Sequence, residues 1–437
     1  MCIQYSGSIP GLERIDKMAF FNFSPELVEL SEKAMQLCAP QFAELDRMAE
    51  YNGQRVLKAF IDNKISDIHM KGTNGYGYGD DGRDKLDAVF AQILGAEDAL
   101  VRHNFVNGTH TLTTALFGIL RPGDLLLSVT GEPYDTMQGV ISGEGTGSLK
   151  DFGVKFAKVD LLPDGTPDLE GIRKAAGDCR MAYIQRSRGY SLRPSLTVDV
   201  IGEICAAVRS VNPDCVIFVD NCYGELVEER EPLAVGADLI AGSLIKNLGG
   251  GIAETGGYIA GKAELVEQCA FRLTTPGTGK EVGASLNQLR GLYLGIFHAP
   301  EAVCAALKTA TFAAALAELL GFEAFPKYNE KRTDIIEALK LGGEKQLIAF
   351  CQGIQAGSPV DSFASPEPWD MPGYDSQVIM AAGAFTMGAS IELSADAPLR
   401  EPFAVWLQGG LTFPTAKAGI LTAAQHMLDK GLCTISK

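Results

Sequence analysis

Between residues 99 and 261 this chain alternates short apolar runs with stretches of helical period, and few folds accommodate that pattern. The runs are 99–101, 125–129, 154–159, 181–185, 216–219, 238–241 and 257–260. Each has the length of a strand and is apolar along most of its course, as strands buried between two helical layers must be. Seven strands with intervening helices predict an α/β fold with a mainly parallel seven-stranded sheet between helices. A closed eight-stranded barrel produces a similar alternation, so the pattern alone leaves open sheet and barrel both standing.

The flanks read differently. From residue 11 to about 60, Leu27, Leu30, Ala34, Leu37 and Cys38 recur at helical steps, which predicts an N-terminal helical arm over 1–60. A large domain would then occupy 61–299 and a smaller α+β C-terminal domain 300–437, with the change near 298–300. In the smaller domain a helix is expected over 301–320 and strands over 389–393 and 404–408. The proline-rich passage 358–374 reads as a long loop, and loops of that size usually carry function.

With 437 residues and 46% hydrophobic composition, the chain can bury a substantial core, which excludes a disordered or fibrous protein. The formal net charge of −16, with no run of lysine or arginine, argues against nucleic acid or an anionic membrane as partner. The N-terminus lacks a basic region followed by an apolar stretch, and no uninterrupted apolar segment reaches membrane-spanning length. Ten cysteines are scattered without a Cys-x-x-Cys pair, which favours reduced thiols over a disulfide framework or a zinc site. A cytoplasmic protein without a metal is the expectation.

The chemistry concentrates where two of the runs end. Asp220 closes one; Ser243 and Lys246 follow the next, and glycines 249–251 come directly after. An amine, an acid and a hydroxyl at one sheet edge could hold an aldehyde cofactor as a Schiff base. Lys246 supplies the amine, Asp220 keeps a pyridine nitrogen protonated, and Ser243 binds a phosphate. The cofactor so implied is pyridoxal 5'-phosphate. Alone, a Ser-x-x-Lys also occurs in serine acyl-transfer enzymes, and a surface lysine with a capping aspartate is the plain alternative. Elsewhere, Gly108, Thr109 and His110 open a helix after the first run, where unpaired N–H groups attract an anion. Tyr134 follows the second run and could stack on a pyridine ring or carry a proton to a departing thiolate. Arg186 and Arg188 follow the fourth, and guanidinium groups suit an amino-acid carboxylate.

The run VDNCYGELVEEREPLAVGADLIAGSLIKN, together with GYGYGDDGRDKLDAVF, NGTHTLTTALFGILRPGDLLLSVTGEPYDT, IQRSRGYSLRPSL and SPVDSFASPEPWDMPGY, resembles the aluminium-resistance branch of the cystathionine beta-lyase and methionine gamma-lyase family. The likeness spans nearly the whole chain. It implies a fold-type-I pyridoxal-phosphate enzyme, hence an open sheet, with carbon–sulfur lyase activity on a sulfur-containing amino acid. It also implies that Gly108 and Thr109 form the phosphate cup and that Tyr134 is the stacking tyrosine. His110 stands where better-known relatives carry an aliphatic residue. By the same resemblance Tyr76 or Tyr78 reaches the cofactor phosphate of a neighbouring subunit, making a dimer the smallest active unit and a tetramer the expected assembly. Relatives hold the substrate carboxylate with an arginine on a small-domain strand, for which Arg400 is the nearest candidate here. The Arg186–Arg188 segment departs from the asparagine-containing turn of those relatives. An aminotransferase or aldolase on the same scaffold would need the same lysine and acid, and a non-catalytic cofactor-binding stress protein is the third reading.

Overall fold

The structure is a computed structural model that describes residues 20–370 and 376–435. All seven apolar runs form strands of one sheet: β1 (Asp98–Arg102), β2 (Leu125–Ser128), β3 (Lys155–Lys158), β4 (Met181–Gln185), β5 (Val216–Asp220), β6 (Leu239–Ser243) and β7 (Gly257–Gly261). Their spatial order is β1-β7-β6-β5-β4-β2-β3. Strands β2 to β6 are parallel, whereas β7 runs antiparallel to both β6 and β1. The sheet is open, with β1 and β3 at its edges, so the barrel alternative falls. Every residue of β4, β5, β6 and β7 is buried, which is why these strands read as continuous apolar runs rather than alternating ones. Register brings Gln185, Asp220 and Ala241 side by side, so β4 and β5 end at one level and β6 continues past it to Ser243. That shared C-terminal edge is where an open α/β sheet places its ligand.

A second sheet, entirely antiparallel, contains β8 (Glu323–Phe325), β9 (Ile336–Lys340), β10 (Val378–Ala381), β11 (Ser394–Pro398) and β12 (Ala404–Gln408), ordered β10-β11-β12-β9-β8. Here β12 matches its expected span, but the strand expected over 389–393 does not form. The backbone of that segment bonds elsewhere: the Ile391 N–H donates to the Ile245 carbonyl at 3.0 Å, and the Ile391 carbonyl accepts from Gly410 at 2.8 Å. The ladder begins only at Ser394.

The helix expected from residue 301 starts earlier, at Leu289, and continues through Pro300 to Leu319. The boundary expected near 298–300 therefore lies inside a continuous helix. This helix is long and apolar enough to cross a membrane, but 83% of its most apolar window is buried inside the protein. Against it lies the N-terminal helix Pro25–Asp62, capped by Ser24. Its Leu27, Ala34 and Cys38 join the core of the small sheet, and its Val56 and Ala59 join the core of the large one. The expected arm thus ties both cores together; the part of it before residue 20 lies outside the described residues. Among the described residues nine cysteines are free thiols.

Candidate active site

Asp220 ends β5 with its side chain buried. Its carboxylate accepts the Cys222 N–H at 3.1 Å and the Tyr183 hydroxyl at 3.4 Å, and burial raises its pKa. Beside it in register, Gln185 accepts the Tyr134 N–H at 2.8 Å, which fixes the loop that follows β2. Ser243 ends β6, and Lys246 caps the short turn Asn247–Gly249 beyond it. The Lys246 Nζ donates to the Ala389 carbonyl at 3.1 Å, meets the Tyr223 hydroxyl in a short hydrogen bond, and stands 3.7 Å from the centre of the Tyr223 ring. The amine therefore points inward, toward the turn after β5 and the segment that leads into β11.

The helix Gly108–Ile119 opens at the same edge. The Asn107 side chain accepts the His110 N–H at 2.8 Å, while Gly108 and Thr109 sit where helical N–H groups have no intrahelical acceptor. A Cβ on Gly108 would lie 3.4 Å from the Ser243 Cβ and 3.6 Å from the Cys222 sulfur, so the helix start is packed directly on the serine. The Ser243 hydroxyl oxygen is buried and has no hydrogen-bond partner among the described residues. A native protein rarely leaves such a group unpaired, and an anion seated between it and the helix N-terminus would satisfy it. Thr109 bonds the Thr136 hydroxyl at 2.8 Å. His110 closes the turn instead of facing the anion: its Nδ1 accepts the Val106 N–H at 3.0 Å, its ring packs edge-on against Phe105, and burial lowers its pKa. An inward amine, a buried acid and an anion seat at one sheet edge fit pyridoxal 5'-phosphate.

A cavity of about 610 Å³ opens beside the end of β4, lined among others by Tyr134, Gln185, Arg188, Tyr190, Arg193 and Arg400. Its lining reaches Tyr134 and Gln185 but not Lys246 or Asp220. Arg188 is buried; it donates to the Phe325 carbonyl at 2.6 Å, and its Nε has no partner among the described residues. Burial lowers the Arg193 pKa to about 10. Arg400 is exposed at the rim, in the turn joining β11 to β12, and no ion pair joins it to an acid among the described residues. Arg186 is elsewhere. Its guanidinium is fully buried, bonded to Asn221 at 2.8 Å and to Glu228 at 3.0 Å, with Glu231 at 3.8 Å. A charge already neutralised by two acids has no fork left for a substrate carboxylate, so the structure does not bring Arg186 to the site.

Tyr76 and Tyr78 stack on each other at 5.6 Å and are 76% and 65% exposed. Their loop is pinned by Arg83, which donates to the carbonyls of Gly77 and Gly283. Neither tyrosine lines the cavity. Two residues at the site escaped the sequence reading. Tyr223 stands three positions after Asp220, a spacing visible in the motif but easily taken for packing. Asp396 lies in β11, accepts the Tyr190 hydroxyl at 3.2 Å, and is raised by burial to about 6. An acid inside a wholly buried strand would have been its signal, had that strand been placed correctly.

An open, mainly parallel α/β sheet beside a smaller antiparallel one, with these groups at its C-terminal edge, defines a fold-type-I architecture. The PLP-dependent protein YhfS from Escherichia coli shares the fold, with a TM-score of 0.57 at 16% identity over 87% of this chain and 96% of that one. The methionine gamma-lyase family profile matches residues 27–428, and the chain belongs to that family. A carbon–sulfur lyase involved in aluminum resistance from Clostridium novyi is 51% identical, with a TM-score of 0.90 over 93% of this chain and 97% of its own. The protein YnbB of Bacillus subtilis is 48% identical over 393 residues, 89% of this chain and 93% of YnbB.

Proposed function

We propose that this protein is a pyridoxal 5'-phosphate-dependent carbon–sulfur lyase that acts on a sulfur-containing amino acid by α,β- or α,γ-elimination. The reading rests above all on the convergence of Lys246, Asp220 and the unpaired Ser243 hydroxyl at one sheet edge. Bound there, the cofactor supplies an electron sink for charge developing at the substrate Cα. Lys246 would hold the cofactor through its aldehyde, and its amine would serve as general base for the substrate Cα proton. Asp220 holds the proton on the pyridine nitrogen. Ser243 and the N–H groups of Gly108 and Thr109 hold the phosphate. Tyr134 stacks on the ring and gives a proton to the departing sulfur. Arg188, with its partnerless Nε, and Arg400 at the rim orient the substrate carboxylate.

Loss of the thiol leaves an enamine that hydrolyses to a 2-oxo acid and ammonia. Tyr76 or Tyr78 completes the phosphate site of a neighbouring copy, so the working unit is at least a dimer, housed in the cytoplasm. Incubation of the purified protein with cystathionine, cysteine, methionine or homocysteine tests the reading, with thiol, ammonia and 2-oxo acid assayed together. Release of all three in equal amounts from one substrate is expected. A 2-oxo acid formed without thiol or ammonia, and only when a second 2-oxo acid is added as amino acceptor, would mark a transaminase instead, and no product from any substrate would overturn the lyase reading.

A further inference from the structure

We propose that a second cavity, separate from the one beside β4, binds a free α-amino acid with an apolar side chain. The inference does not depend on the role of Lys246. The cavity has a volume of about 360 Å³ and lies where the N-terminal helix, the turn after β5 and the loop between β8 and β9 meet. It shares no lining residue with the first cavity, and Lys246, Asp220 and Ser243 do not reach it. Gln41, Leu45 and Met48 line one side; at steps of four and three they fall on one face of the helix. Val198 and Val227, both buried, add to the same wall. Water covers such an apolar wall at a cost, whereas a hydrocarbon side chain covers it at a gain.

Two polar atoms of the lining residues are unsatisfied. Arg332 is only 7% exposed; its Nε donates to the Thr311 hydroxyl at 2.9 Å, and its Nη2 pairs with the buried Glu337 carboxylate at 2.6 Å. These contacts fix the guanidinium and leave Nη1, a buried charged donor, without a partner among the described residues. The Gln41 Oε1, a buried acceptor, likewise has none. A cationic donor and a neutral acceptor in one cavity match a carboxylate and an ammonium on one molecule. The other charges around the cavity select the same ligand. Arg230 pairs with Asp199, Lys331 with Glu228 and Glu44 with Arg47, so these cancel. Glu229 and Glu330 are exposed and form no ion pair among the described residues. A simple anion would meet those two carboxylates on a chain of net charge −16, and a simple cation would leave the Arg332 Nη1 unmet. A zwitterion avoids both conflicts, and an apolar side chain fills the remaining wall.

The test titrates the holoenzyme, labelled with carbon-13 in its methionine methyl groups, with L-norleucine, which brings no such methyl of its own. The Met48 signal, assigned by its loss in Met48→Leu, should shift to saturation. Hexanoate, which lacks the ammonium, and pentylamine, which lacks the carboxylate, should each bind at least about tenfold more weakly, the worth of one hydrogen bond to a charged group. Gln41→Leu removes the acceptor from a half-buried helix position and should weaken norleucine by a similar factor. In that variant the visible absorbance of the cofactor, and any response of it to norleucine, should match the wild type, because that signal reports the other site. A Met48 signal that norleucine does not move, equal affinity for the three compounds, or an unchanged half-saturation in Gln41→Leu would each overturn the proposal.

Discussion

Ser243 separates stability from binding at a single atom. Its hydroxyl is buried without a partner, a condition that costs about 1–3 kcal/mol when nothing satisfies it. Ser243→Ala should accordingly leave the cofactor-free protein as stable as before or slightly more so. The same change should weaken pyridoxal 5'-phosphate binding by about ten- to a hundredfold, the worth of one hydrogen bond to a charged group. Fluorescence titration and thermal melting, run side by side, check both halves. Equal affinity in the variant would remove Ser243 from the phosphate site. Lys246, Asp220 and Ser243 were all legible in the sequence because each follows a recognisable apolar run, and strand ends in a parallel sheet are where ligand groups gather. The contact between Tyr223 and Lys246 was not, because it depends on a positive φ and on a residue from another loop, neither of which a local pattern records.

The segment after β4 is an element whose role the sequence suggested only in part. Two arginines after β4 read as a pair of carboxylate ligands, yet only Arg188 lines the cavity, while Arg186 lies beneath the turn against Glu228 and Glu231. No sequence distance tells these roles apart, since the acids that claim Arg186 come from a different loop. Arg186→Ala should cost about 3–5 kcal/mol in urea denaturation, because it strands buried acids without their partner. A variant that unfolds like the wild type but shows a raised KM would instead restore Arg186 to substrate binding. The misplaced strand over 389–393 has a related cause. That stretch is apolar enough for a ladder, but its N–H and carbonyl groups are taken by Ile245 and Gly410, partners from outside the sheet. The strands of the large sheet were readable one by one, the central ones because complete burial leaves no alternation to confuse, but that the sheet is open followed only from the family resemblance.

At the scale of the whole molecule, the N-terminal helix and the helix Leu289–Leu319 lie together, and the former enters both hydrophobic cores. Periodicity revealed the first helix but not that it spans two cores, and Pro300 disguised the continuity of the second. The exposed pair Tyr76 and Tyr78, on a loop anchored by Arg83, belongs to this scale because its proposed target is in another copy. Mixing inactive Lys246→Ala protein with inactive protein carrying Tyr76→Phe and Tyr78→Phe, under conditions of subunit exchange, should restore part of the turnover. Each hybrid would then contain one intact composite site. Mixtures no more active than their components would place every needed group within one chain.

Borohydride reduction of the holoenzyme, followed by peptide mass spectrometry, tests the covalent attachment most directly. The expected result is a phosphopyridoxyl group on Lys246 and on no other lysine, lost in Lys246→Ala. A group found on a different lysine, or none on a protein that turns over substrate, would contradict the account.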